Sequence, residues 1–209
     1  MNEEQKKTLL KVGELYNKYG IKSITMDDVA RELGISKKTL YQFVSDKDDL
    51  VGKFIENEIE QKREEICKCF GKGLNAIEEL FEISLFMNKL IKNQNPTTEY
   101  DLKKYYPHHF DRIVKARRER VYNYILLNLR TGKEEGLYRK EMNEEVIAKL
   151  YLFRTENVHS TEIFTIEEFT SFKLFLELLI YHIRGISTEK GINILEKKVK
   201  ELESVTLNN

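Results

Sequence analysis

One third of the 209 residues are charged, but 35 Lys and Arg balance 35 Asp and Glu, so no global field directs the chain to nucleic acid, a membrane or an acidic substrate. The length is enough to bury a core without disulfides or metals, and Cys67 and Cys69, two apart in a predicted helix, point to nearly opposite sides and cannot easily bridge. The opening MNEEQKKTLL has no apolar stretch of signal length, and the longest apolar run contains Glu177 and His182, which predicts a cytoplasmic chain with no membrane partner.

Only Pro96 and Pro107 interrupt the chain, and apolar residues recur at three and four spacing, so the expected class is all-α. A first helix over about 3 to 19 carries Leu9, Val12, Tyr16 and Tyr19 on one face and stops at Gly20. A second starts behind Thr25, a hydroxyl cap with Asp28 three residues on, and turns Val29, Ala30 and Leu33 inward. Gly34 then breaks the helix, and Ser36 caps a short third one over 36 to 43. In that third helix Leu40 and Phe43 face inward, leaving Lys37, Lys38, Thr39, Tyr41 and Gln42 outward.

SDKDDL repeats the capping pattern, with Ser45 and Asp48, and opens a fourth helix to about residue 70. A fifth is expected from about Asn75 to Asn93, followed by NQNP read as a loop and a turn at Pro107. Helices over about 108 to 134, EEVIAKLYLFRTENV, 166 to 185 and 188 to 204 complete the chain. The helix 166 to 185 is apolar around most of its circumference, which requires burial against its own domain and something more, and a second copy is the economical partner. The expected dimer residues are Phe153, Phe172, Phe175, Leu179 and Ile183.

SITMDDVARELGISKKTLYQFVSDKDDL, preceded by one helix, resembles the DNA-binding domain of the tetracycline-repressor (TetR) family of transcription regulators, over about residues 6 to 55. The resemblance implies a three-helix helix-turn-helix domain over 1–48, an all-helical ligand-binding and dimerisation domain over 49–209, and a homodimer on a palindromic double-stranded DNA operator. Such a protein usually represses and lets go when a small-molecule effector binds. The alternative is a DNA-bound adaptor whose second domain docks a protein partner.

In the resembling geometry the third helix lies in the major groove. Gln42 is the expected base reader, because its amide both donates to and accepts from adenine. Lys37 reaches guanine or phosphate, Lys38 and Tyr41 contact the backbone, and Thr39, behind the Ser36 cap, meets a thymine methyl or a phosphate. The resemblance also implies that Thr25 and the Met26 backbone hold a phosphate, and that Lys47 does so at the fourth helix. Residues 1 to 50 nevertheless carry nine basic and nine acidic residues, so non-specific affinity is expected to be modest.

The segment EYDLKKYYPHHFDRIVKARRERVYNYI concentrates aromatic and basic residues, and the expected effector pocket is Phe86 with Tyr100, Tyr105, Tyr106, His109, Phe110, Arg112 and Tyr124. The neighbours His108 and His109 are expected to point apart, with no Cys or acid completing a ligand spacing, so neither metal nor cofactor is expected. A phosphate-binding glycine loop and a nucleophile elbow are both missing, and the acids sit among matching Lys and Arg on helices, which argues against an enzyme.

Overall fold

The structure, a computed structural model, describes residues 3–67, 73–92, 95–157, 163–165, 167–168 and 171–206. Among them the helices are α1 (Glu3–Tyr19), α2 (Met26–Leu33), α3 (Lys37–Phe43), α4 (Lys47–Cys67), α5 (Ala76–Lys92), α6 (Pro96–Tyr105), α7 (Pro107–Glu134), α8 (Glu144–Asn157), α9 (Phe172–Ile186) and α10 (Glu189–Thr206). The described residues hold no strand, only an isolated antiparallel bridge between Tyr138 and Ser187. The expected all-α class is therefore the observed one, and no described helix is long and apolar enough to cross a membrane. Expectations resting on Cys69, Gly71 and Ile166 lie outside the described residues.

The chain divides into two compact units, 1–65 with 93–117, and 66–92 with 118–209. In the first, Leu9, Val12 and Tyr16 of α1 meet Val29 of α2, Leu40 of α3 and Leu50, Val51 and Phe54 of α4, and Leu102 of α6 joins the same cluster. The Tyr16 ring stands edge-on to Phe54 at 5.4 Å, a geometry suited to their quadrupoles.

Helix α6 is the element that the sequence reading does not contain. Asn95 accepts from Thr97 N at 2.8 Å and Pro96 takes the first helical position, where its missing N–H costs nothing and its fixed φ suits a helix. Pro107 likewise opens α7. Both prolines thus begin helices; neither ends one. Three contacts tie α6 and its cap to the end of α1 and the turn after it: Thr98 Oγ1 donates to Tyr16 O at 2.8 Å, Lys22 N donates to Asp101 Oδ2 at 2.8 Å, and the Asn95 amide donates to Asn17 O.

A second correction falls at the start of α4. Asp46, not Ser45, accepts from the backbone N of Asp49 at 2.9 Å, and Asp49 in turn accepts from Ser45 N at 2.9 Å, which makes Asp46 and Asp49 the capping pair and leaves Asp48 out of it.

In the second unit, Ile77, Leu80 and Phe81 of α5 pack with Ile125 and Leu129 of α7, Ala148 of α8, Leu179 and Ile183 of α9, and Leu195 of α10. Tyr138, fully buried, locks the turn after α7: its hydroxyl donates to Asn128 Oδ1 at 3.1 Å, and Asn128 donates to Ala76 O at 2.8 Å. Its ring lies where any side chain at Gly132 would stand, since a Cβ there would meet Tyr138 Cδ2 at 2.1 Å.

Candidate nucleic-acid interface

The short third helix is positioned by its two neighbours' ends. At the N-terminus of α2, Thr25 Oγ1 accepts from Asp28 N at 3.2 Å while Asp28 Oδ2 accepts from Thr25 N at 3.0 Å and from the Thr25 hydroxyl at 2.6 Å. The hydroxyl bond, then the backbone one, holds the Asp28 carboxyl below its ordinary range. At the other end Gly34 adopts φ 66°, ψ 29°, its N–H bonds Arg31 O at 3.1 Å, and Ile35 N bonds Ala30 O at 3.0 Å. This pair of bonds closes the helix with a left-handed residue, which glycine enters without a Cβ penalty.

Ser36 caps α3 by accepting from Thr39 N at 3.0 Å, and its hydroxyl also lies 2.7 Å from that of Thr39. Leu40 is fully buried and Phe43 half-buried, so one side of α3 is anchored in the core. Ser36, Lys37, Lys38, Thr39, Tyr41 and Gln42 are exposed together on the other. Lys38 and Gln42 make no side-chain hydrogen bond with any described residue. Lys37 is occupied: its Nζ lies 2.9 Å from Asp27 Oδ1, and that bond raises its pKa.

Of the three residues expected at phosphate through helix starts, Thr25 is exposed and engaged by Asp28, and the Met26 side chain is buried. Lys47 is half-buried, donates to Lys22 O at 3.2 Å, and burial lowers its pKa. Asp27 is the residue of this surface that the sequence reading misses. The signal for it was the ten-residue separation from Lys37, which spans one tight turn.

The residues expected to line a pocket fall in different places. Tyr100 and Tyr105 are exposed on α6, Tyr106 and Phe110 pack on the first unit's core, and Arg112 pairs with Glu56 at 2.6 Å. Phe86 and Tyr124 belong to the second unit and are half-buried there. The interior of that unit also holds a polar group of its own. The Tyr151 hydroxyl lies 3.5 Å from Ser84 Oγ, its ring is 4.8 Å from that of His182, and the Arg154 guanidinium lies over it at 4.7 Å.

Among the residues expected at a dimer face, Leu179 and Ile183 are buried in their own unit's core, Phe172 and Phe175 are half-buried, and Phe153 is 66% exposed. Val146 and Leu150 share its exposure and its helical face, at four- and three-residue steps along α8, and Tyr181 is exposed on α9. The Arg154 guanidinium donates to Leu178 O and so ties α8 to α9.

One further group crosses between elements of the first unit. His108 Nε2 lies 3.3 Å and His109 Nε2 3.4 Å from the same Asp48 Oδ2, so the two imidazoles, expected to point apart, converge on one carboxylate.

Residues 14–53 match the family described as bacterial regulatory proteins, tetR family. Among curated proteins the chain is similar to the uncharacterized HTH-type transcriptional regulator YvaF of Bacillus subtilis (strain 168), 26% identical over 171 residues, 80% of this chain and 88% of that one. Among solved structures, its fold is similar to that of a transcriptional regulator from Cytophaga hutchinsonii ATCC 33406, with TM-score 0.76 and 15% identity over 90% of this chain and 100% of that one. It is also similar to that of the ketosteroid transcriptional regulator KstR2 of Mycobacterium tuberculosis, with TM-score 0.54 and 16% identity over 90% and 97%.

Proposed function

This chain belongs to the tetR family of bacterial regulatory proteins, and we propose from that membership that it is a homodimeric repressor of a palindromic operator, released by a small molecule. The observation that carries the reading is α3: a seven-residue helix capped at Ser36, held from below by buried Leu40, and presenting Lys37, Lys38, Thr39, Tyr41 and Gln42 together. A major groove admits such a helix, and phosphate contacts then fix its register while base edges give the sequence preference.

Gln42 reads adenine in this scheme, and Lys38 and Tyr41 hold the backbone. Lys37 reaches guanine or phosphate after leaving Asp27. Thr25 and the Met26 amide sit at a phosphate. Lys47 supports this surface from inside, through Lys22 O, more than by a direct contact.

Dimerisation runs through the exposed apolar face of α8, Val146, Leu150 and Phe153, with Tyr181 beside it. The effector site belongs to the second unit. Ser84, Tyr151, Arg154 and His182 provide polar groups inside an otherwise apolar interior there, a composition suited to an apolar effector carrying few polar atoms.

Selection of binding sites from a random duplex pool tests the reading. A palindromic motif should be enriched, and fluorescence anisotropy should give it at least about 10³-fold tighter binding than a scrambled duplex. Gln42→Ala should cost about 1–3 kcal/mol on the motif and leave the scrambled duplex unchanged, whereas Lys38→Ala should weaken both alike. No enrichment of any motif by the folded dimer would overturn the proposal.

A further inference from the structure

We propose that Asp48, His108 and His109 form a binding site for a divalent transition-metal ion of the zinc class, joining the first turn of α4 to the first turn of α7. All three residues lie within the first compact unit, and their ligand atoms fall within 4.8 Å of one another.

Tetrahedral ions with bonds of about 2.0–2.2 Å to imidazole nitrogen and carboxylate oxygen require ligand atoms about 3.3–3.5 Å apart. Asp48 Oδ2 lies 3.3 Å from His108 Nε2 and 3.4 Å from His109 Nε2, so two edges of such a tetrahedron are already in place.

Charge singles out Asp48 from the acids around it. Asp49 is held by Lys53 at 2.7 Å, Glu56 by Arg112 at 2.6 Å, and Asp46 caps α4. Asp48 has no Lys or Arg partner among the described residues, and its only ion-pair neighbours are the two imidazoles. A carboxylate that cations do not claim is available to a metal.

His109 is prepared for this role by packing. It is 6% exposed, and its ring fills the space over Gly52, where a Cβ would meet His109 Cε1 at 2.7 Å. Only glycine at position 52 lets the ring lie there. Its Nε2 also lies 3.1 Å from Asp48 O, a carbonyl that only accepts, so in the empty site an Nε2–H bond orients the ring, and that bond is given up, with the proton on Nδ1 instead, when an ion takes the lone pair. His108, its ring tilted 43° against that of His109 at a 3.9 Å centroid separation and largely exposed, supplies the adjustable ligand. An open groove of about 390 Å³ beside His109 leaves room for water in the remaining coordination position.

Two imidazoles and a carboxylate without thiolate suit Zn²⁺, Co²⁺, Ni²⁺ or Cu²⁺ over Ca²⁺ or Mg²⁺. The ion takes the Nε2 lone pair of each ring, so the ring proton resides on Nδ1. For His109 that atom is buried and has no hydrogen-bond partner among the described residues. Because of this, and because all three ligands stand in first turns where the helix dipole disfavours a cation, the site is an exchangeable one and not a structural metal.

The site requires nothing of the DNA-binding reading, and its test contains no DNA. Full-length protein, stripped with chelator and exchanged into chelator-free buffer, is titrated with Co²⁺ and followed by its visible absorption, then with Zn²⁺ in competition. One equivalent per protomer is expected, with visible bands of a nitrogen and oxygen coordinated ion that Zn²⁺ abolishes.

His108→Ala and Asp48→Asn, both at exposed positions, should weaken Co²⁺ binding at least 10-fold while the far-ultraviolet circular dichroism stays unchanged. Gly52→Ala, which displaces the His109 ring, should do the same if it folds, and the two surface variants decide the matter if it does not. No saturable Co²⁺ uptake by the wild type, or uptake unchanged in both surface variants, would overturn the site.

Discussion

His182 shows what a single residue contributes when its surroundings are apolar. Its Nε2 is sealed from solvent with no hydrogen-bond partner among the described residues, and burial first, then Arg154, pushes its pKa down to about 3. An unfolded chain takes up that proton near the ordinary value of about 6.5, whereas the folded one does not until far lower pH. Folding stability therefore holds above about pH 6.5 and falls as pH drops through the window between the two values, by at most about 1.4 kcal/mol per pH unit. Urea unfolding at pH 7 and pH 5 should show that loss in the wild type. His182→Gln should lose less over the same interval, and an identical pH dependence in both would contradict the account. The sequence displayed His182 only as a polar interruption in an apolar run. The guanidinium that crowds it comes from α8, a neighbour that no local pattern names.

Elements differ in how much of themselves they announce. Helix α1 is legible to its end residues, because Leu9, Val12 and Tyr16 repeat on its buried face and Gly20 adopts a left-handed conformation just past Tyr19, although Tyr19, expected on that face, is exposed. The α2–Gly34–α3 turn is equally legible, since Thr25, Gly34 and Ser36 each act through bonds to residues within five positions. Helix α6 is not, and the reason is physical. A proline signals a break when it falls inside a helix and a beginning when it falls at the first position, and the sequence alone does not say which register holds. What decides the register here is Asn95, which caps the new helix and reaches Asn17 O at the end of α1. Asn95→Ala should lower stability by about 1 kcal/mol through the lost cap, read as a reduced urea midpoint at unchanged m-value. No change in midpoint would mean that water replaces the cap at no cost. The convergence of His108 and His109 on Asp48 was hidden for a related reason: the acid lies 60 positions away, and it became available only because Asp46 and Asp49 form the cap.

At the scale of the whole molecule, the balance of 35 basic and 35 acidic residues offers the proposed dimer no net charge to draw on, so the proposal rests on apolar surface. Val146, Leu150 and Phe153 stand 50%, 58% and 66% exposed on one face of α8, more than scattered surface residues require. Phe153→Glu should convert the dimer to monomer at micromolar concentration by light scattering. Because that side chain lies outside the protomer's core, the variant should keep its circular dichroism spectrum. A wild type that is monomeric throughout the micromolar range would remove the dimer. Periodicity in the sequence identified α9 as doubly apolar, but it could not separate the side facing inward from the side left over. Leu179 and Ile183 belong to the first, and Tyr181 to the second.

If α3 binds an operator as proposed, the contact between Lys37 and Asp27 has a further meaning, because one site must be found among a whole genome of competitors. Asp27 is a resident counter-ion: any phosphate that Lys37 approaches must displace a carboxylate already in place, so the exchange liberates less salt than a bare lysine would. Chance duplexes, which offer charge and little else, gain least from that exchange. Under the proposed operator binding, the protein would spend less time on the wrong DNA, and the fidelity of its search would be set in part by Asp27, an acid outside the set proposed to read bases.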